Sequence, residues 1–469
     1  MEHGNFLLVS QSPKSHLNPT LHLASTLLYL GSKVTLLLTN YALKNISKHQ
    51  LPYGLSLSTF SDGFDDGFTS SDFPRWRVEF ERLGRLALVD LLSSQQQSLL
   101  SFTCIVHTLL IPWVTRVALE LHVPTAILWI QSVAAFDVYY YYFNGYSDVI
   151  RNGYKDDGSN SLLFNIWLPG LPLMNVLDLP SFVVSDDYHG LILKSFEEKM
   201  QVLEEEENVS ILVNSFDALE HDAFTAIGKF NLIPIGPLVS LPPRFEVSTK
   251  QRTTSYLQGG QQAQEDYIKW LNSKFDSSVV YIAFGSISKL SNKQTKEIVG
   301  ALLECSYPFL WVLSMDDIQD ENLSLYFDDE LQAQGKIVPW CSQVEVLSHR
   351  SVGCFVTHCG WNSTIESVTA GVPTVAWPLW ADQATNAKLM QDVWELGVRV
   401  KKSSDGEGLV EGKEIARCLR MVMDMEDHGR GKQLRINARK WQLLAMEAAN
   451  GSSYMNIKAF VNKVCYQAK

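Results

Sequence analysis

The stretch that most constrains the fold spans residues 340–383, WCSQVEVLSHRSVGCFVTHCGWNSTIESVTAGVPTVAWPLWADQ. Residues 351–358 are an apolar, β-branched run, which suits a strand buried on both faces of a parallel sheet. Residues 359–363 break that run, with Gly360 supplying a tight turn. Residues 363–370 then read as a short helix, with Asn362 or Ser363 as N-cap and Gly371 and Pro373 ending it. Residues 372–378 are a further strand. A strand, a glycine turn and a helix N-terminus in that order present orphan N–H groups and the positive end of a dipole. His358, Asn362 and Ser363 add donors, so a phosphate or diphosphate fits there. An ordinary strand-to-helix turn is the competing account, because Ser363 and Glu366 stand in capping-box register. The turn by itself leaves both open.

At 469 residues the chain is long enough for about two domains with sizeable cores. Charged residues are 19% and hydrophobic residues 46%, the balance of a folded globular protein. A formal net charge of −12 argues against a nucleic-acid surface and against an anionic-membrane patch. Any anionic ligand must then be held by local dipoles and a few donors. The seven cysteines are scattered without CxxC spacing, which favours a reducing compartment and no zinc site. No apolar stretch approaches the ~18 residues of a membrane span, and the N-terminus lacks the pattern of a signal peptide. A cytoplasmic location is expected.

The first half alternates strands and helices. Residues 6–10 are a strand, Asn18 and Pro19 read as N-cap and first residue of a helix through Leu30, and residues 33–39 form the next strand. This βαβ pattern recurs and defines an α/β fold. His16 falls in the loop before that helix, beyond the C-terminal end of the first strand, where open α/β sheets bind ligands. The helix dipole there keeps it neutral and able to accept a proton. Residues 62–68 (DGFDDGF) read as a solvated loop, and strands are expected at 102–106 and 124–130. The aromatic run 139–143 either lines a pocket or packs the core. Residues 204–207 end a helix, 211–220 form a strand then a helix, and the prolines of 232–243 mark a boundary. The second half offers strands at 277–286 and 308–313, a helix capped by Ser291 with Gln294 completing the box, and an acidic loop at 316–321. Helices are expected at 384–400, 413–425 and 430–448, the last basic and amphipathic.

The register of residues 340–383 resembles the C-terminal signature of plant secondary-product glycosyltransferases, the UDP-sugar-dependent family 1 enzymes. Trp340, Gln343, Leu347, His349, Phe355, residues 358–363, Glu366, Gly371, Pro373, Pro378, Asp382 and Gln383 all fall in place without a gap. Ser342 departs, where many relatives carry Pro. The resemblance covers nearly the whole chain, and is weakest at 145–205. It implies a GT-B fold of two facing Rossmann-like domains with the active site in the cleft between them. The expected boundaries are 1–243 for the acceptor domain, 244–265 for a linker, 266–448 for the UDP-sugar domain, and 449–469 for a helix packing back on the first domain.

The resemblance also implies roles. Trp340 stacks on uracil and the Cys341 backbone reads its edge; Gln343 and Glu366 hold the ribose. Gly360, His358, Asn362, Ser363 and Ser286 meet the diphosphate, Trp361 borders the sugar, and Asp382 and Gln383 bind its hydroxyls. Gln383 at the last position is similar to the glucose-preferring pattern. His16, in the segment SHLNP, is the general base. Gln131, Tyr139 and Trp380 are candidate acceptor contacts. Most relatives carry an Asp that orients the base; alignment on Ile111, Pro112 and Trp113 puts Thr108 there instead. A hydroxyl holds a tautomer but cannot balance a developing charge, so either a carboxylate from another segment serves or the acceptor needs little help, which tilts it toward carboxylic acids or acidic phenols. Thr is usual in the branch holding anthocyanin 5-O-glucosyltransferases and enzymes forming glucose esters of acids such as crocetin, which this chain resembles. No D-x-D triplet occurs, so no metal or other cofactor is expected beside the donor UDP-glucose. The expectation is an inverting glucosyltransferase, monomeric, acting on a small lipophilic metabolite such as a flavonoid, with a non-catalytic UDP-sugar-binding or metabolite-binding protein as the alternative.

Overall fold

A computed structural model describes residues 4–46, 51–96, 101–155, 164–184, 190–206, 209–239, 261–285, 289–321, 325–403, 408–426 and 429–467. The chain divides into two compact units, Met1–Val239 with Glu447–Lys469, and Ser240–Met446. Most of the expected linker, residues 244–260, lies outside the described residues.

The first unit is built on β1 (Asn5–Val9), β2 (Lys33–Thr39), β3 (Ser56–Phe60), β4 (Cys104–His107) and β5 (Thr125–Trp129). A two-residue pair, β6 (Asn165–Ile166) and β7 (Met174–Asn175), stands apart, and β8 (Ser210–Val213) and β9 (Asn231–Pro234) complete the set. Seven strands form one sheet in the order β3-β2-β1-β4-β5-β8-β9, all parallel. The second unit carries β10 (Val279–Ala283), β11 (Phe309–Val312), β12 (Gly335–Val338), β13 (Val352–Thr357), β14 (Thr374–Ala376) and β15 (Gly397–Arg399). Their order is β12-β11-β10-β13-β14-β15, again parallel. Every residue of β4, β10 and β13 is buried, as expected of strands covered on both faces.

Both orders reverse direction next to the first strand of the unit: between β1 and β4, and between β10 and β13. Ligands of doubly wound sheets bind outside the carboxyl ends of the strands at such a switch point. The registers align those ends, pairing Val9 with His107 and Ala283 with Thr357. The residues that follow are His16 and Thr108 in one unit, and Gly285 and His358 in the other.

Several elements differ from expectation. The first helix is Lys14–Tyr29, so Pro19 lies inside it and His16 sits in its first turn, not in a loop. Pro13 takes the N-cap position, and its carbonyl accepts the N–H of His16 at 2.9 Å and of Leu17 at 3.0 Å. β9 ends in Pro234, a residue tolerated because the strand is at the sheet edge. β12 and the helix Asp329–Gln334 before it were not expected, and β15 falls where a helix was. The acidic stretch after β11 holds a short helix, Met315–Gln319, whose N-cap Ser314 accepts from Asp317 N–H at 3.1 Å. Asp316 and Asp317 there suit the positive end of the dipole. Gln294 completes no capping box; its side chain ties the Val410 backbone, donating at 2.8 Å and accepting at 2.9 Å.

The loop 62–68 is not simply solvated. Asp62 is buried and accepts the Trp76 indole N–H at 2.9 Å, while Phe68 stacks on Trp76 at 4.6 Å. The basic helix, Arg430–Asn450, does structural work in the second unit. Its Gln442 donates to the Thr369 and Ala370 carbonyls at 3.0 and 2.8 Å, capping the helix Trp361–Ala370. The last helix, Ser452–Gln467, packs within the first unit, with Phe460 against Phe6 and Asn456 donating to the Pro234 carbonyl at 2.8 Å. No helix among the described residues is long and apolar enough to cross a membrane.

Candidate active-site residues of the two units

In the first unit His16 is 8% exposed, and its Nδ1 lies 3.1 Å from Thr108 Oγ1. Burial pushes the imidazole down to about 4, so it is neutral at pH 7. Thr108 is fully buried and pinned at its backbone, its N–H donating to Val9 O at 3.1 Å. Its carbonyl lies 3.0 Å from His107 Nδ1, which donates to it, and His107 Nε2 takes the Thr115 hydroxyl at 2.7 Å. Lys199, 1% exposed and pushed down to about 7 by burial, stands 3.4 Å from His107 Nδ1. The layers behind His16 are thus a hydroxyl, an imidazole and an amine.

Gln131 follows β5 on the same edge of the sheet, and its Oε1 is buried with no hydrogen-bond partner among the described residues. Tyr139 is placed otherwise than expected: it is fully buried and stacks on Phe196 at 4.0 Å, so it packs the core and lines no acceptor pocket. All but one residue of its helix, Val133–Tyr141, is buried, the pattern of a helix apolar all round.

In the second unit the helix Trp361–Ala370 has Gly360 at its N-cap, and Asn362 and Ser363 are its second and third residues. Neither caps it and no capping box forms. Ser363 Oγ instead accepts from Gln343 Nε2 at 2.9 Å, and Glu366 Oε2 accepts from the same amide at 2.5 Å. Glu366 keeps some exposed surface, yet desolvation pushes it up to about 7, against the opposing bond from Gln343. Trp340 is half-buried; Cys341 and Ser342 beside it are buried, with Ser342 N–H donating to Tyr267 at 3.1 Å.

His358 follows β13 with its ring edge between two glycines. A Cβ on Gly285 would lie 2.8 Å from Nε2, and one on Gly360 2.6 Å, so both positions admit only glycine while the ring stays in place. Burial pushes His358 down to about 4, so it is neutral at pH 7. The turn is held in an unfavourable conformation at Cys359, with φ +64°. Its carbonyl accepts from Asn386 Nδ2 at 2.9 Å and Thr364 Oγ1 at 3.3 Å, which keep it there. Asn386 also donates to Asp382 Oδ2 at 2.8 Å; burial raises Asp382 to about 6. Asn386 was not singled out from sequence, although it stands one helical turn beyond Asp382 and so shares its face.

Gln383 Oε1 accepts the N–H groups of Leu379 and Trp380 at 2.9 and 3.0 Å, so only its NH₂ is left for a sugar hydroxyl. Trp380 is half-buried, and Ala381 between it and Asp382 has φ +56°. Trp361 is another correction. Its indole is 3% exposed and packs toward Trp394 at 6.2 Å, so the ring is core rather than a border of the sugar. Ser286 lies outside the described residues.

One Rossmann-like unit thus carries a neutral, hydroxyl-paired imidazole, and the other a strand–glycine–helix turn with the Glu366 and Asp382 carboxylates near it, features that fit a nucleotide-sugar transferase. The family model for UDP-glucoronosyl and UDP-glucosyl transferase matches residues 257–414. UDP-glycosyltransferase 75C1 of Solanum lycopersicum is 46% identical, covering 99% of each chain. The chloroplastic crocetin glucosyltransferase of Gardenia jasminoides is 45% identical over 98% of this chain and 97% of its own. The crystal structure of Os79 from O. sativa in complex with UDP has a TM-score of 0.84 at 29% identity, covering 98% of this chain and 100% of that one.

The chain belongs to the plant family 1 UDP-glycosyltransferases, in the branch with crocetin and anthocyanidin 5-O-glucosyltransferases. Its fold is GT-B, and it is an enzyme, a UDP-glucose-dependent O-glucosyltransferase of small metabolites.

Proposed function

We propose that the enzyme transfers glucose from UDP-glucose, with inversion, to an acidic oxygen of a small lipophilic metabolite, giving β-glucose esters of carboxylic acids and β-glucosides of acidic phenols. The observation that carries this reading is the pairing of His16 Nδ1 with the Thr108 hydroxyl at 3.1 Å. To act as base through Nε2, His16 must hold its proton on Nδ1 and donate it to Thr108 Oγ1. The hydroxyl accepts that bond but sets no charge against the imidazolium that forms. Burial is what lowers the His16 pKa, and an amine, not a carboxylate, stands behind His107. Such a base suits a nucleophile with little proton to give up. A carboxylic acid is already ionised at pH 7 and an acidic phenol partly so, whereas an aliphatic alcohol is neither. Relatives named for crocetin and for anthocyanidin 3-O-glucoside support a lipophilic or flavonoid acceptor.

On the donor side, Trp340 stacks on uracil, Glu366 takes the ribose, and Asp382 with the Gln383 NH₂ binds the sugar hydroxyls. His358, Ser363 and the first N–H groups of helix Trp361–Ala370 hold the diphosphate and stabilise the leaving UDP. No divalent ion is required, so activity should survive a chelator. Incubation with UDP-glucose and a panel of terpenoid acids, anthocyanins and flavonols, read by mass spectrometry, tests the reading. Acid acceptors should give products that alkali hydrolyses; turnover confined to aliphatic alcohols would contradict it. A monomeric state and a cytoplasmic location belong to the proposal too, to be checked by sizing and by a fluorescent fusion; a chloroplastic relative supplies the competing compartment.

A further inference from the structure

Tyr281 lies in the middle of β10, 1% exposed, with its ring stacked on Phe355 at 5.0 Å. Its hydroxyl donates to Gln343 Oε1 at 3.2 Å and faces Cys341 Sγ at 3.4 Å. Burial pushes the Cys341 thiol up to about 12, so the thiol keeps its proton, and with the phenol proton given to Gln343 it is the thiol that donates in that contact. The bonds then run one way. Cys341 S–H donates to the phenol oxygen, the phenol O–H to Gln343 Oε1, and Gln343 Nε2 to Ser363 Oγ at 2.9 Å and Glu366 Oε2 at 2.5 Å. Turning the amide over would point its oxygen at the Glu366 carboxylate, acceptor against acceptor. With Oε2 held by Gln343, Glu366 has Oε1 for a ligand.

We propose that Tyr281 is a positioning residue for nucleotide recognition: through the Gln343 amide it fixes the Glu366 carboxylate against the hydroxyls of the donor's ribose. This rests on the reading of Glu366 as the ribose acceptor. Tyr281→Phe removes only the phenol oxygen and keeps the stacked ring, so the fold is preserved.

Calorimetry with UDP and with 2′-deoxy-UDP on both proteins tests the assignment. The wild type should favour UDP. In Tyr281→Phe, UDP affinity should fall about fivefold, the scale of one hydrogen bond, with that for 2′-deoxy-UDP much less affected. KM for UDP-glucose should rise in step while kcat and Tm change little. A loss shared equally by both nucleotides, or unchanged UDP affinity, would overturn the role of Tyr281. If wild-type protein bound the two nucleotides equally, the ribose reading of Glu366 would itself fail, and the proposal with it.

Discussion

In the proposed mechanism Thr108 sets how hard a nucleophile the enzyme can activate. Its oxygen, 3.1 Å from His16 Nδ1, can accept the imidazole proton or donate its own, and only the first arrangement leaves Nε2 free to act as a base. Thr108→Val keeps the shape and removes the choice. Transfer to a phenol should fall about tenfold, with transfer to a carboxylic acid nearly unchanged, read as kcat for the two acceptors. Glu366 governs the pH dependence of donor binding. Its carboxyl is raised to about 7 by burial, and ribose hydroxyls need it ionised. Affinity for UDP-glucose, which has no group titrating nearby, should be full above pH 7 and fall as pH drops through 7, by up to about tenfold per unit. Calorimetry at pH 8 and pH 6 reads this. Glu366→Gln should bind weakly and with a flat pH profile.

The decisive element is the turn between β13 and helix Trp361–Ala370. It combines a non-glycine residue at φ +64° with two glycines crowding His358. Gly360→Ala would bring a methyl 2.6 Å from Nε2 and displace the ring. UDP affinity should drop at least about tenfold, as for a lost anion contact, with little change in Tm. The strand, the glycine turn and the helix were legible in residues 351–370 because hydrophobic period and turn chemistry agreed there. The cap was not: capping-box register is local, whereas the bond that claims Ser363 comes from Gln343, twenty residues back in the chain. Asn386 was missed for a similar reason, since its amide acts on the carbonyl of Cys359. Tyr139 is a further case. The run VAAFDVYYY, apolar but for Asp137, left pocket and core both open, and only the stacking on Phe196 shows that the ring is core.

Across the whole molecule, the C-terminal residues belong to the unit formed by the N-terminus. Phe460, 3% exposed, packs against Phe6 of β1, the strand that leads to His16. Phe460→Ala should cost about 3 kcal/mol and lower the melting temperature of the first unit, without weakening UDP binding by the second. The parallel, doubly wound architecture was readable from alternating strand and helix patterns. Short edge strands such as β9 and β12 were not, because their residues are only half-buried and carry little hydrophobic pattern.

The most direct measurement compares His16→Ala with the wild type on a phenol and on a carboxylic acid, with UDP affinity measured in the same preparations. Transfer to the phenol should be lost by more than about a hundredfold, transfer to the acid should fall far less, and UDP affinity should be unchanged. Full activity on the phenol, or an equal loss of UDP binding, would contradict the account.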